Sequence, residues 1–163
     1  MNIEKLSPLL GKWSGAGTAK FPTIKTTNYL EDLEFLLTGK KHVLFYQQKT
    51  YYMVTSPLGR RGVKGDPLHL ESGYITAHED GTFELSNSQD NGRVEVLKGN
   101  IIKNYRKYFH ISFTSKFIGN DDRMLNTVRE FIIEGNTLKY IMKMATKKTP
   151  ELQEHLEAEL VKV

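Results

Sequence analysis

The sequence predicts an all-β chain: a single closed antiparallel β-barrel of about ten strands with a short N-terminal helical turn. Three observations carry this prediction. Apolar and polar residues alternate over short segments, the period of a strand with one wet face. Glycine-containing pairs of the kind that close tight hairpins separate those segments. Strands in that number, left open, would expose two unpaired edges, which closure removes. The 163 residues are read as one domain spanning 1–163, long enough to bury roughly two-thirds of the unfolded surface. Hydrophobic residues at 39%, with eight Tyr, eight Phe and one Trp, supply the bulk for a barrel interior.

Along the chain, Ile3 to Leu10 is expected to form a helical turn plugging one end. Gly11-Lys12-Trp13-Ser14-Gly15-Ala16-Gly17 follows as a strand with alternate glycines, which let a sheet coil tightly or let a flat group approach the backbone. Taken by themselves these residues are read as structural, with Trp13 sealing the barrel floor. Ser56 to Pro67 holds three Gly, two Pro and three basic residues and is expected to be a mobile loop. Phe83 and Leu85, then Val94 and Val96, are each expected to form the apolar face of a strand, with Arg93 and Glu95 on the wet side. Asp80-Gly81, Asn91-Gly92 and Gly135-Asn136 are read as hairpin turns, and Lys98-Gly99-Asn100 and Gly119-Asn120-Asp121-Asp122 as further reversals. Leu138, Tyr140, Met142 and Met144 line one strand face. Glu151 to Lys162 is rich in helix formers, but Leu156, Ala158 and Leu160 alternate with Glu157 and Glu159, so a closing strand is predicted.

Composition excludes several chemistries. The chain has no cysteine, which removes disulfides, thiolate nucleophiles and Cys-held metal sites. Any metal must be held by His, Tyr, Met or a carboxylate. None of the five histidines, His42, His69, His78, His110 and His155, stands four residues from another, and no phosphate-cradling loop or nucleophile elbow occurs. No run approaches 18 apolar residues and the first residues lack a signal-peptide core, so a cytoplasmic location with no membrane partner is expected. The net charge of +4 is a mild attraction to anions. Nucleic acid is not expected as a partner, because the one basic and aromatic cluster, Tyr105-Arg106-Lys107-Tyr108, reads as a solvated strand or turn. The sequence leaves the assembly open, a homodimer included.

Four blocks of sequence carry a family resemblance. Gly11 to Gly17 followed by Phe21-Pro22-Thr23-Ile24 resembles the GxWxGxG…YPTI opening of the nitrobindin family. Pro67-Leu68-His69-Leu70-Glu71-Ser72-Gly73-Tyr74 is similar to that family's central P-[ML]-H-x-E-x-G-[YF] stretch, and Asn91 to Val96 to its next hairpin. Met144-Ala145-Thr146 through His155-Leu156 resembles its MAT…HL ending. The blocks fall in order from about residue 6 to 162. Departures are Phe21 for the commoner Tyr, Ala19 for a further Gly in some members, Thr76 where many have Arg, and a longer basic loop from Ser56 to Asp66.

The resemblance implies a ten-stranded barrel like the fatty-acid-binding proteins, with ferric haem b at its mouth. It implies His155 as proximal iron ligand and catalytic site, His69 on the distal side of the cavity, and Thr23 against the haem. The activity implied is isomerisation of peroxynitrite to nitrate at an open iron position, with nitric oxide binding at the same place. Without the family, His155 would read as a surface histidine on a Glu-rich strand and His69 as a strand-start histidine. The alternative reading is a haem-free carrier of a small apolar ligand. A carrier of fatty acids would need an Arg–Tyr cluster inside the cavity, and His155 would be dispensable.

Overall fold

In the computed structural model, which describes residues 2–39 and 42–163, the described residues form a short 3-10 helix and ten antiparallel strands. The strands are β1 (Gly11–Phe21), β2 (Ile24–Leu37), β3 (Val43–Val54), β4 (Val63–Ala77), β5 (Phe83–Gln89), β6 (Val94–Tyr105), β7 (Tyr108–Gly119), β8 (Met124–Glu134), β9 (Thr137–Thr146) and β10 (Gln153–Lys162). Each pairs with its chain neighbour, and β10 returns to pair with β1, with Trp13 opposite Lys162 and Ala19 opposite Leu156. The sheet therefore has no free edge.

The helix, Asn2–Leu9, buries Ile3, Leu6 and Leu9, the every-third-residue spacing that a helix of three residues per turn places on one face. Trp13 donates its indole N–H to the carbonyl of Leu9 at 2.8 Å, fastening helix to strand at the closed end. Above this end the interior is apolar, with Phe35, Phe83, Phe109, Phe113 and Phe131 fully buried. Phe131 meets Phe35 and Phe113 edge to face, at 5.5 and 6.3 Å between ring centres.

Most of the expected punctuation is present. Gly81, Gly92 and Gly135 adopt positive φ in the hairpins between β4 and β5, β5 and β6, and β8 and β9. The closing segment is a strand, as its alternation predicts. Gly17 is required by close packing, since a methyl group there would run into the Tyr29 ring, which lies across β1 from β2.

Three expectations are corrected. Lys98-Gly99-Asn100 is no reversal but the middle of β6, where Gly99 points inward beneath the Phe113 ring and leaves no room for a side chain. The actual reversal is at Arg106 and Lys107, with Arg106 at φ 55°. Val94 and Val96 face outward and Glu95 is the buried residue, because a buried guanidinium inside the barrel pairs with it. The loop after β3 is shorter than Ser56–Pro67: β4 starts at Val63, and Pro67 is accommodated where the β3–β4 register shifts.

Candidate functional site

At the end opposite the helix, two adjoining cavities of about 410 and about 630 Å³ open into the barrel mouth and share Ile24, Arg93, Met144 and His155. Each volume is of the size that takes a small organic ligand. The walls of the inner cavity are largely apolar, from Ala19, Ile24, Leu68, Met142, Met144 and Leu156.

His155 stands at the junction, and local backbone irregularity puts it there. The β9–β10 ladder pairs Glu154 with Lys143 and Leu156 with Met142, so His155 is the extra residue of a bulge. On the neighbouring strand the β1–β2 ladder likewise skips Lys20, between Ala19 and Phe21. Bulges at barrel rims re-aim side chains, and here they bring His155 Nδ1 to 3.1 Å from the Lys20 carbonyl. A carbonyl only accepts, so Nδ1 carries the hydrogen and Nε2 of the neutral ring keeps its lone pair. Nε2 has no hydrogen-bond partner among the described residues. The Phe21 ring packs against the imidazole at 5.7 Å, near perpendicular. Burial pulls the His155 pKa below the ordinary imidazole value against the raising effect of the Lys20 carbonyl, which favours the neutral, ligating form.

His69, on β4, lines the inner cavity from another wall. Its Nε2 is 3.1 Å from Glu71 Oε2, and its Nδ1 lies 3.3 Å from Asp90 Oδ1. It lies well inside β4, whose first residue is Val63. Thr23, in the β1–β2 turn, is exposed and lines the outer cavity. The three residues singled out in the sequence thus stand around two joined cavities.

The cavity floor was not foreseen. Arg129, on β8, is buried and spans two carboxylates: Nη1 is 2.6 Å from Glu71 Oε1, and Nη2 is 2.6 Å from Glu95 Oε2. It also donates to the Tyr140 hydroxyl at 3.0 Å. Tyr46 donates to Glu71, and Thr127 and Asn87 donate to Glu95, at 2.9, 2.9 and 3.2 Å. Burial alone would raise the Glu71 carboxyl, but Arg129, His69 and Tyr46 together bring it down to about 2. Glu31 is different. Burial raises it to about 7 in spite of a 2.6 Å hydrogen bond from Gln48. Glu31 and the Tyr29 hydroxyl are buried neighbours, and the interaction between them falls short of ordinary hydrogen-bond geometry. Two carboxylates therefore share the Arg129 guanidinium, and the raised Glu31 carboxyl makes no ion pair with it. Glu71 falls in the block from Pro67 to Tyr74, whereas Arg129, Glu31 and Glu95 are each one polar residue at an inward position of a strand.

A closed ten-stranded barrel with one backbone-fixed imidazole in its mouth defines a class of small-ligand-binding barrels. The chain belongs to the family of THAP4-like, heme-binding beta-barrel domains, whose model matches residues 2–162. A protein of Arabidopsis thaliana named peroxynitrite isomerase Rv2717c is 35% identical over 161 residues, covering 99% of this chain and 89% of that one. Peroxynitrite isomerase 1 of Mycolicibacterium paratuberculosis is 33% identical, covering 98% and 93%. The crystal structure of Rv2717c from M. tuberculosis superimposes with a TM-score of 0.86 at 30% identity, covering 99% of this chain and 97% of that chain.

The residues at the mouth fit the family's haem. Among the described residues no group of three or more His, Asp or Glu side chains is gathered to hold a bare metal ion. A lone imidazole with a free Nε2 is instead a donor set for a metal that brings its own equatorial ligands. Apolar walls beside it suit a porphyrin face.

Proposed function

We propose that this protein binds ferric haem through His155 Nε2 and isomerises peroxynitrite to nitrate. The observation that carries the reading is the His155–Lys20 hydrogen bond. It fixes one ring tautomer and one ring orientation in a lowered-pKa imidazole that faces a ligand-sized cavity. The relatives named peroxynitrite isomerase, matched over nearly the full chain, give the substrate.

When bound, haem would supply a Lewis-acidic iron for an anionic ligand. The reaction is redox-neutral, so no reductase or nicotinamide partner is called for. The chain's own residues do the rest. His155 would hold the iron, and Phe21 and Lys20 hold His155. Ala19, Leu68, Met142, Met144 and Leu156 give the cavity its apolar surface. His69, with its two ring nitrogens turned to Glu71 and Asp90, would bound the distal side of the cavity. Thr23 closes the outer edge. Nitric oxide binding at the same open position is the companion role.

The carrier reading meets an obstacle in the floor. Arg129 and Tyr140 do form an Arg–Tyr cluster inside the barrel, but the guanidinium is already engaged by Glu71 and Glu95. A fatty-acid carboxylate placed there would meet a surplus of negative charge. Stopped-flow decay of peroxynitrite with haemin-loaded protein tests the proposal. The expected result is a rate linear in protein concentration with nitrate as product. Decay no faster than with the haemin-free protein would contradict the proposal.

A further inference from the structure

The charges around the cavities differ from floor to rim, with the exposed Lys25 also lining the inner cavity. The floor holds Glu31, Glu71 and Glu95 against Arg129. The rim of the outer cavity holds Arg93, Arg123, Lys147 and Lys148 with Asp122. Two of these cations are already committed: Arg93 Nη2 lies 2.7 Å from Asp121 Oδ2 and Arg123 Nε 2.8 Å from Asp121 Oδ1. Lys147 and Lys148 have no carboxylate partner among the described residues, and both are exposed beside the cavity that His155 lines. The turn that carries them is well defined. Thr146 and Thr149 exchange backbone hydrogen bonds at 2.9 and 3.0 Å, and the Lys147 amide donates to the Arg123 carbonyl at 2.8 Å.

We propose that Lys147 and Lys148 form a carboxylate-binding subsite that takes the propionate edge of the porphyrin, so that the disc enters with its anionic edge toward the β9–β10 turn. This rests on the haem reading above and adds to it the direction in which the cofactor is held. The reasons are electrostatic and steric. A porphyrin carrying two carboxylates has one anionic edge and one apolar edge. The anionic edge is repelled by a floor with two carboxylates, Glu71 and Glu95, to one guanidinium, and desolvating it there would be costly. At the rim it stays hydrated and meets two ammonium groups on flexible stems that need no other partner. The apolar edge then lies among Leu68, Met142 and Leu156 of the inner cavity.

The test is a titration of the apo-protein with haemin and with haemin dimethyl ester, whose carboxylates are masked. It is carried out on the wild type, on K147Q/K148Q and on K147R/K148R, with far-ultraviolet circular dichroism as a check of the fold. Exposed ion pairs are individually weak, so two together predict about a tenfold loss of haemin affinity in K147Q/K148Q. The arginine pair should stay within about twofold of the wild type, and the ester should bind the wild type and K147Q/K148Q alike. The Soret band of K147Q/K148Q with haemin should match the wild type, since the axial ligand is untouched. Unchanged haemin affinity in K147Q/K148Q, or an equal loss with the ester, overturns the subsite while leaving the haem reading intact. No one-to-one haemin uptake by the wild type overturns the haem reading, and the subsite with it.

Discussion

His155 on β10 and Lys20 on β1 are both residues that their strand ladders skip, and a 3.1 Å hydrogen bond from imidazole Nδ1 to the Lys20 carbonyl joins them. The contact links two backbone bulges, so the orientation of the ring is a property of the barrel rim rather than of one rotamer. It also explains why the neighbour of Lys20 is aromatic: Phe21 is buried and its ring packs against the imidazole.

Phe21→Leu keeps an apolar side chain of similar reach but loses the ring contact, worth about 0.5–1.5 kcal/mol. The expected result is haemin uptake with an unchanged Soret band and a haemin loss rate raised about two- to tenfold, read by transfer to excess scavenger. An unchanged rate would show that the Phe21 ring does not support His155.

Arg129→Met should be among the most damaging single changes in the chain. It leaves Glu71 and Glu95 buried without their cation, a loss of about 3–5 kcal/mol when one partner of a buried pair is removed. Urea unfolding at neutral pH measures it. Adding Glu71→Gln to the variant should recover part of the loss, because it removes one stranded charge. Additive losses would contradict the pairing.

Glu31→Gln tests the other buried carboxyl. Glu31 is held at about 7, above the ordinary carboxyl value of 4.5, so the folded state binds its proton more tightly than the unfolded chain does. Its contribution is therefore full below about pH 4.5 and is lost as pH rises through about 7. Glu71 runs the other way: held at about 2, it stabilises the fold above pH 4.5, and that contribution is lost as pH falls toward 2. Between pH 5 and 8 the stability of Glu31→Gln relative to wild type should climb with pH, by up to about 3 kcal/mol. A difference that does not vary over this window would mean that Glu31 titrates normally.

Gly81, Gly92 and Gly135 mark hairpins because positive φ is a local demand that a sequence displays. The alternation of Leu138, Tyr140, Met142 and Met144 is equally local, and all four are buried. Lys98-Gly99-Asn100 has the composition of a turn, yet Gly99 serves a ring on the next strand, a demand visible only once β6 and β7 are paired. Glu95 has the composition of a wet face, yet it lies inside because Arg129, 34 residues later, is inside too. At the mouth, the motifs drew attention to Thr23, His69 and His155, which line the joined cavities. What they did not show is the means of holding His155, because a bulge is a mismatch between two strands and neither strand displays it alone.

If His155 ligates the iron of a haem in the barrel mouth, as proposed, a haemin titration followed in the Soret region will show it. The wild type should show a saturable one-to-one shift. His155→Ala should lose stoichiometric uptake while its far-ultraviolet circular dichroism stays that of the folded barrel, since the imidazole sits at the rim and not in the core. Retention of one-to-one haemin binding with an unchanged Soret band in His155→Ala would contradict the assignment.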